Sequence, residues 1–75
     1  MNKNICGNKI KIARLSENPV CTQSDLSARL EVLGYKISVA TISKMENGTR
    51  EVNDIQVLAF AKALKVSPLW LLGFE

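Results

Sequence analysis

The chain has 75 residues, 47% of them hydrophobic, and its ten Lys or Arg residues against seven Asp or Glu give a net charge of +3. This length allows one small domain with a limited core, and the apolar content excludes a disordered chain. No apolar run approaches the roughly eighteen residues of a membrane span, and the N-terminal residues lack the apolar stretch of a signal peptide, so we expect a cytoplasmic protein.

The first predicted helix runs from about Gly7 to Glu17. Ile10 and Ala13 are spaced to face the core, with Ile12 as a third candidate. The sequence Asn18-Pro19 ends the helix, because proline disfavours helical backbone in the residue before it.

The second predicted helix begins near Thr22, whose side chain can cap it, and Asp25 favours the positive end of the helix dipole. An i, i+4, i+7 stripe of leucines can face the core, and it consists of Leu26, Leu30 and Leu33. Gly34 is the expected helix exit.

The third predicted helix, residues 39–47, has side-chain signals at both ends. Ser38 is a good N-cap, and Asn47-Gly48 ends the helix because both residues tolerate left-handed backbone. Ile42 and Met45 give it one apolar face, which must be packed because so short a helix is not stable alone in water. Two short helices joined by a glycine-containing turn have the shape of a helix-turn-helix, whose second helix reads the DNA major groove.

Two further helices follow. The fourth starts after Asn53, a good N-cap, and runs to about Leu64. Its inward positions are expected to be the apolar residues at helical spacing, namely Ile55, Leu58, Ala59 and Leu64. The fifth has Ser67 as N-cap and Pro68 at its first position, and it ends at Gly73. Its last apolar residues are expected to close the core, and they are Trp70, Leu71 and Leu72.

The charge is unevenly distributed. Residues 1–50 carry eight Lys or Arg and four Asp or Glu, whereas residues 51–75 carry two and three. The excess in the first part favours an anionic partner there, although surface lysines that only keep a protein soluble are the open alternative.

Little in the sequence points to metal or catalytic chemistry. Two cysteines and no histidine give no zinc ligand set, so we expect free thiols at Cys6 and Cys21 and neither a metal nor another cofactor. Paired carboxylates in an identifiable pocket and a glycine-rich phosphate loop are also missing. An enzyme is therefore the weakest interpretation.

From about Gly7 to Gly73 the chain resembles the Cro/C1-type helix-turn-helix family of phage repressors and small bacterial regulators. The residues that carry the resemblance are Thr22, Gln23, Leu26, Leu30, Ile37, Ser38, residues 41–48, Leu58, Ala59, residues 61–64, Val66, Ser67 and residues 70–73. The resemblance implies an all-α fold, a compact five-helix bundle in which helices two and three form the motif, in a single domain over residues 1–75. From Gln23 to Ser38 the spacing is about five residues longer than is usual in the family, which we interpret as an extra turn on helix two.

The resemblance also assigns base-contacting positions on helix three. Val39 and Ala40 match positions that read bases, where their methyl groups can touch thymine methyls. Lys44 projects from the middle of the helix and can donate to guanine O6 and N7, with a solvated lysine or a phosphate contact as the alternatives. Ser43 offers a hydroxyl beside them.

Phosphate contacts are expected at the helix ends. Gln23 lies at the N-terminus of helix two, where its amide and backbone N–H groups can bind a phosphate oxygen. Ser38 has a capping role and reach to phosphate. Thr49 and Arg50 follow helix three, where the resembling proteins touch the DNA backbone.

Glu46 is an acid within a DNA-facing helix, where it repels phosphate unless it is neutralised. The family pattern pairs this acid with an arginine of helix one, and Arg14 stands at the matching place. The net stabilisation from such a pair can be small, but loss of one partner is costly.

The sequence therefore predicts sequence-specific binding of double-stranded DNA by a transcriptional repressor or phage-type regulator. A homodimer on an inverted repeat is expected, because one such helix contacts too few bases for adequate specificity. The alternative is a protein-binding module, such as the antitoxin that neutralises a partner toxin. Steep salt dependence from counterion release separates the two, because only DNA binding requires it.

Overall fold

Five helices pack around a shared apolar core in residues 5–74, the part of the chain that the computed structural model describes. They are α1 (Ile5–Leu15), α2 (Gln23–Val32), α3 (Val39–Glu46), α4 (Asp54–Leu64) and α5 (Pro68–Leu71). Residues 5–74 contain no strand, so the predicted all-α fold is confirmed. None of these helices has the length and apolar content of a membrane span.

Side-chain caps define where the helices begin. The Thr22 hydroxyl accepts from the backbone N–H of Asp25, whose carboxylate accepts from the Thr22 N–H, both at 3.0 Å. Asn53 and Gln56 form the same reciprocal box at the start of α4. Ser67 caps α5. These caps satisfy N–H groups that the first helical turn leaves unpaired, so the predicted N-caps are confirmed.

The core lies where α1 and α4 meet the other three helices. α1 packs on α3, α4 and α5, while α2 packs on α3 and α4. The largest fully buried side chains are Ile10, Leu26, Leu30, Ile42, Met45, Phe60 and Leu71. Ile42 and Met45 belong to α3, so the core holds a helix that has only eight residues and would not be stable alone.

Two predicted core residues of the first two helices are exposed instead. Ile12 of α1 is exposed because it lies about 200° around the helix from the buried Ile10. Leu33 is exposed because α2 ends at Val32, and Gly34, with φ of +95°, turns the chain away. α1 also ends at Leu15, two residues before the predicted Glu17.

The core-facing stripe of α4 differs from the predicted one. Ile55 and Leu58 are 60% and 51% exposed. Ala59 and Leu64 are buried as predicted, together with Val57, Phe60, Ala61 and Ala63. Nearly every position of α4 is apolar, so several stripes have helical spacing, and packing against α1 and α2 selects one of them.

The end of α5 closes the core through one residue rather than three. Leu71 is fully buried, whereas Leu72 is exposed. Trp70 is half-buried, and the Lys9 ammonium of α1 lies over its ring, 4.7 Å from the centroid. Trp70 thus joins α1 to α5 at the edge of the core through a cation–π contact.

Candidate nucleic-acid interface

α3 divides into a buried side and an exposed side. Ile42 and Met45 face the core, whereas Val39, Ala40 and Lys44 are exposed. At 100° per residue, these three positions span an arc of about 140° on the side away from the core. Ser43 lies within this arc and is half-buried. The four predicted base-contacting residues therefore share one side of α3.

Glu46 ends α3 and is held by side chains from two other helices. Its Oε2 accepts from Arg14 Nε at 2.8 Å, and its Oε1 accepts from Arg14 Nη2 at 2.9 Å. Gln23, the first residue of α2, donates its amide N–H to the same Oε1 at 3.1 Å. The Glu46 side chain is only 4% exposed. Its negative charge is therefore compensated inside the protein and is not presented at the surface of α3.

Arg14 also fixes the segment that leads into α2. Its Nη1 donates to the carbonyl oxygen of Cys21 at 3.1 Å, and the Cys21 backbone N–H donates to the Arg14 carbonyl oxygen at 3.1 Å. The hydrogen bonds with Glu46 raise the pKa of the Arg14 guanidinium above its ordinary value. One buried arginine thus connects α1, the start of α2 and the end of α3.

The neutral side chains predicted to contact phosphate already make hydrogen bonds within the protein. The Ser38 hydroxyl accepts from the Thr41 N–H at 3.2 Å and donates to the Thr41 Oγ1 at 3.0 Å. Gln23 uses one of its two amide hydrogens on Glu46, which leaves the second for an external acceptor.

Thr49 has a similar role at the other end of α3. Its hydroxyl lies 2.8 Å from the Asn47 Oδ1 and 3.2 Å from the Lys44 carbonyl oxygen. The backbone N–H groups of Thr49 and Arg50 both donate to that same carbonyl. The single hydroxyl donor of Thr49 is therefore used in ending α3, whereas the Arg50 side chain is exposed.

The sequence analysis missed two cations that border α3. Lys11, on the exposed side of α1, lines a depression of about 230 Å³ together with Gln23, Ser43 and Asn47. The signal available was its position three residues before Arg14, one helical turn away on the same side of α1.

The second missed cation is Lys36, in the connection between α2 and α3. Tyr35 is half-buried and its N–H donates to the Leu30 carbonyl at 2.9 Å, while Ile37 is buried and its carbonyl accepts from Ser27 Oγ at 2.7 Å. Lys36 lies between these two anchored residues and is exposed. It belongs to the added spacing that we predicted as an extra helical turn, yet residues 33–37 form a non-helical connection.

The described residues show no arrangement suited to metal binding or thiol chemistry. No three His, Cys, Asp or Glu side chains of residues 5–74 are grouped as metal ligands. Cys6 and Cys21 are free and buried. Burial raises the pKa of the Cys6 thiol to about 11 and that of the Cys21 thiol above its ordinary value, which disfavours the reactive thiolate at neutral pH.

Comparison with known proteins gave one match. A family model described as helix-turn-helix matches residues 21–71, which include α2, α3, α4 and α5. The searches of curated proteins and of solved structures gave no match.

Proposed function

The chain belongs to the Cro/C1-type helix-turn-helix family, whose domains bind DNA, and from this premise we propose that it is a sequence-specific repressor that inserts α3 into the major groove. We further propose that two copies bind an inverted repeat, and that bound protein blocks transcription by occupying the site. Its place of action is then the cytoplasm of a prokaryotic cell, where the DNA is.

The exposed side of α3 is the observation that supports this proposal most. Val39 and Ala40 are small enough for the helix to approach base edges closely, and Lys44 can reach the guanine acceptors O6 and N7. Since Ile42 and Met45 are fully buried on the opposite side, the reading side chains keep one orientation relative to the core. Ser43 supplies a hydroxyl within the same arc.

The charges around α3 also favour an anionic partner. Lys11, Lys36 and Arg50 are exposed beside its flank, its start and its end, and we propose that each contacts a backbone phosphate. Glu46, the one acid of α3, is compensated by Arg14 and does not oppose them.

Gln23, Ser38 and Thr49 remain proposed phosphate contacts with a narrower role. Gln23 contributes its second amide hydrogen and the N-terminus of α2. Ser38 and Thr49 chiefly fix the two ends of α3, because their hydroxyls already have partners in the protein. Most of the affinity is then ionic.

Selection from a pool of random double-stranded DNA tests the proposal. We expect enrichment of an inverted repeat whose half-sites are centred about one helical turn apart. The control is the double variant Val39→Ser, Ala40→Ser, which keeps small side chains on the fold and removes the methyl contacts. It should enrich a different sequence while it retains general affinity.

The salt dependence of binding separates this function from the alternative of a protein-binding module. A DNA-binding protein that makes several phosphate contacts loses affinity steeply as salt rises. No enrichment of any sequence, together with DNA binding too weak to show a salt slope, would overturn the proposal and favour a protein partner.

A further inference from the structure

An apolar surface lies on α4 and α5, on elements that take no part in the proposed reading of DNA. Its members are large apolar side chains that are at least two-fifths exposed, namely Ile55, Leu58, Leu69, Leu72 and Phe74. We call these five residues the α4–α5 surface. Globular proteins expose single apolar side chains commonly, but a contiguous group of this size marks an interaction site.

The five side chains are contiguous. Ile55 and Leu58 are one turn apart on the same side of α4. Leu58 and Leu72 line a common groove of about 380 Å³, which joins α4 to the end of α5. The Phe74 backbone N–H donates to the Leu69 carbonyl oxygen at 2.8 Å, so the chain folds back and holds Phe74 beside α5.

The chemistry of this surface suits a second copy of the same chain. In a two-fold contact each residue meets the same surface of its partner, so a charged surface would repel itself. None of the five side chains is charged. A second exposed apolar region contrasts with it: Val32 and Leu33 border a cavity of about 600 Å³ that is also lined by Arg29, Lys62 and Lys65. Two copies meeting there would bring like charges together.

The area is that of a weak dimer. With half or more of most of these side chains exposed, the α4–α5 surface offers on the order of 500 Å² of apolar area per copy, so two copies bury about 1,000 Å². Specific interfaces begin near this size. Such a dimer forms at high protein concentration, or when DNA holds two copies side by side.

The position of the surface also agrees with paired binding. The groove begins at Val52, two residues after Arg50 and in the segment that leads from α3 to α4. A two-fold axis through this surface therefore brings the ends of two α3 helices to the same side of the dimer. The extents of the described fold, 31 × 22 × 19 Å, allow two touching copies to reach half-sites about 34 Å apart.

We propose that the α4–α5 surface is the homodimer interface of this protein. The use of the dimer on an inverted repeat rests on the proposed function, whereas self-association does not. The experiment therefore measures both, first without DNA by sedimentation equilibrium over a wide range of concentration. Ile55→Glu introduces two like charges at the contact and should raise the dimer dissociation constant at least about tenfold. Val32→Glu carries the same charge change outside the surface and should leave it unchanged.

The second arm uses DNA that holds one or two half-sites of the selected repeat. Ile55→Glu and Val32→Glu should bind a single half-site equally, and only Ile55→Glu should lose cooperative binding to the full repeat. A thermal melt tests whether each variant is folded. Phe74→Ser lies outside the helices and is the replacement if Ile55→Glu does not fold.

The outcomes separate the two proposals. A wild-type chain that stays monomeric at every concentration and binds the full repeat without cooperativity overturns the interface, as does an Ile55→Glu variant that behaves like Val32→Glu. Self-association that depends on Ile55, without binding of any DNA, supports the interface and overturns the proposed function.

Discussion

The carboxylate of Glu46 and the guanidinium of Arg14 form a two-point ion pair, with 2.8 Å from Nε and 2.9 Å from Nη2, that joins the end of α3 to α1. Both side chains are nearly inaccessible to solvent, at 4% and 9% exposure. Gln23 donates a third hydrogen bond to the same carboxylate. The angle at which α3 leaves the body of the protein therefore depends on polar contacts as well as on the core.

Removal of Arg14 is expected to destabilise the fold strongly. Arg14→Ala leaves a buried carboxylate without its counterion, which costs about 3–5 kcal/mol. Glu46→Gln should cost less, because the amide can still accept hydrogen bonds. Thermal melts measure both, at about 4–8 °C per kcal/mol for a domain of this size. Lys11→Ala, on the exposed side of the same helix, is the control and should melt like the wild type. An Arg14→Ala variant that also melts like the wild type would contradict the prediction.

Arg50 is expected to supply general affinity rather than base preference. Arg50→Ala should weaken binding to the selected repeat and to unrelated DNA alike, and should lower the slope of log affinity against log salt by about one unit. Lys62→Ala is the matched control, because that exposed lysine lies on α4 in the cavity that also contains Glu17 and Arg29. A changed consensus with an unchanged slope would show that Arg50 reads bases instead.

Lys44 is expected to read sequence. It is the only long basic side chain of α3, and Val39 and Ala40 are its apolar neighbours on the exposed side. A contact to guanine discriminates by roughly 1–3 kcal/mol. Lys44→Ala should therefore relax preference at one position in each half-site, while affinity for unrelated DNA falls only slightly. Repetition of the random-pool selection with this variant is the measurement, and an unchanged consensus would remove Lys44 from the reading residues.

Lys36 is expected to add a phosphate contact that the shorter connection usual in the family would not supply. Tyr35 and Ile37 anchor the backbone on either side of it, so the ordering of the lysine side chain is the main entropic cost. Lys36→Gln should lower the salt slope by about one unit without a change in consensus. Lys65→Gln, next to the cavity on the α4 side, should leave the slope unchanged. Equal slopes for both variants would place Lys36 away from the DNA.

Acid should weaken the fold partly through Glu17, which accepts from Arg29 Nη1 and Nη2 at 2.8 and 2.7 Å. This hydrogen bonding lowers the pKa of Glu17 below its ordinary value of 4.5. A carboxyl whose pKa is lower in the folded state contributes stability above its unfolded pKa, and the contribution is lost as the pH falls through the folded pKa. Glu17→Gln should therefore be less stable than the wild type at neutral pH.

Urea unfolding over a pH series measures the effect. The free energies of unfolding of the wild type and Glu17→Gln should converge as the pH falls below about 4.5. The shift at Asp25, whose carboxylate accepts from the Thr22 N–H, is common to both proteins and cancels in the comparison. A difference that persists undiminished in strong acid would assign the stabilisation to packing of the Glu17 side chain.

The helix starts could be predicted from sequence because they depend on local chemistry. Thr22, Ser38, Asn53 and Ser67 each accept from an N–H two or three residues later, so the information lies within one helical turn. The core side of α4 could not be predicted in this way. Its sequence is apolar around most of its circumference, and only the packing against other helices decides that Phe60 is buried and Ile55 is exposed.

The candidate site divides in the same manner. The exposed arc of α3 follows from the short spacing between Ser38, Ile42 and Met45, which the sequence contains. The depression that brings Lys11 next to Ser43 depends on how α1 crosses α3, and the position of Lys36 depends on the path of a connection that lacks regular structure. Contacts between distant segments, 32 residues apart for Arg14 and Glu46, required the family pattern rather than periodicity.

Val39 and Ala40 lie on the exposed side of α3, whereas the contacts described for holding that helix come from Ile42, Met45 and Glu46 on its other sides. Under the proposed function, target choice and structural integrity thus depend on different residues. Exchange of Val39 or Ala40 can therefore redirect the protein to a new operator with little effect on folding. Such a division makes the chain readily evolvable, because regulatory specificity can diverge between descendants while the scaffold stays the same.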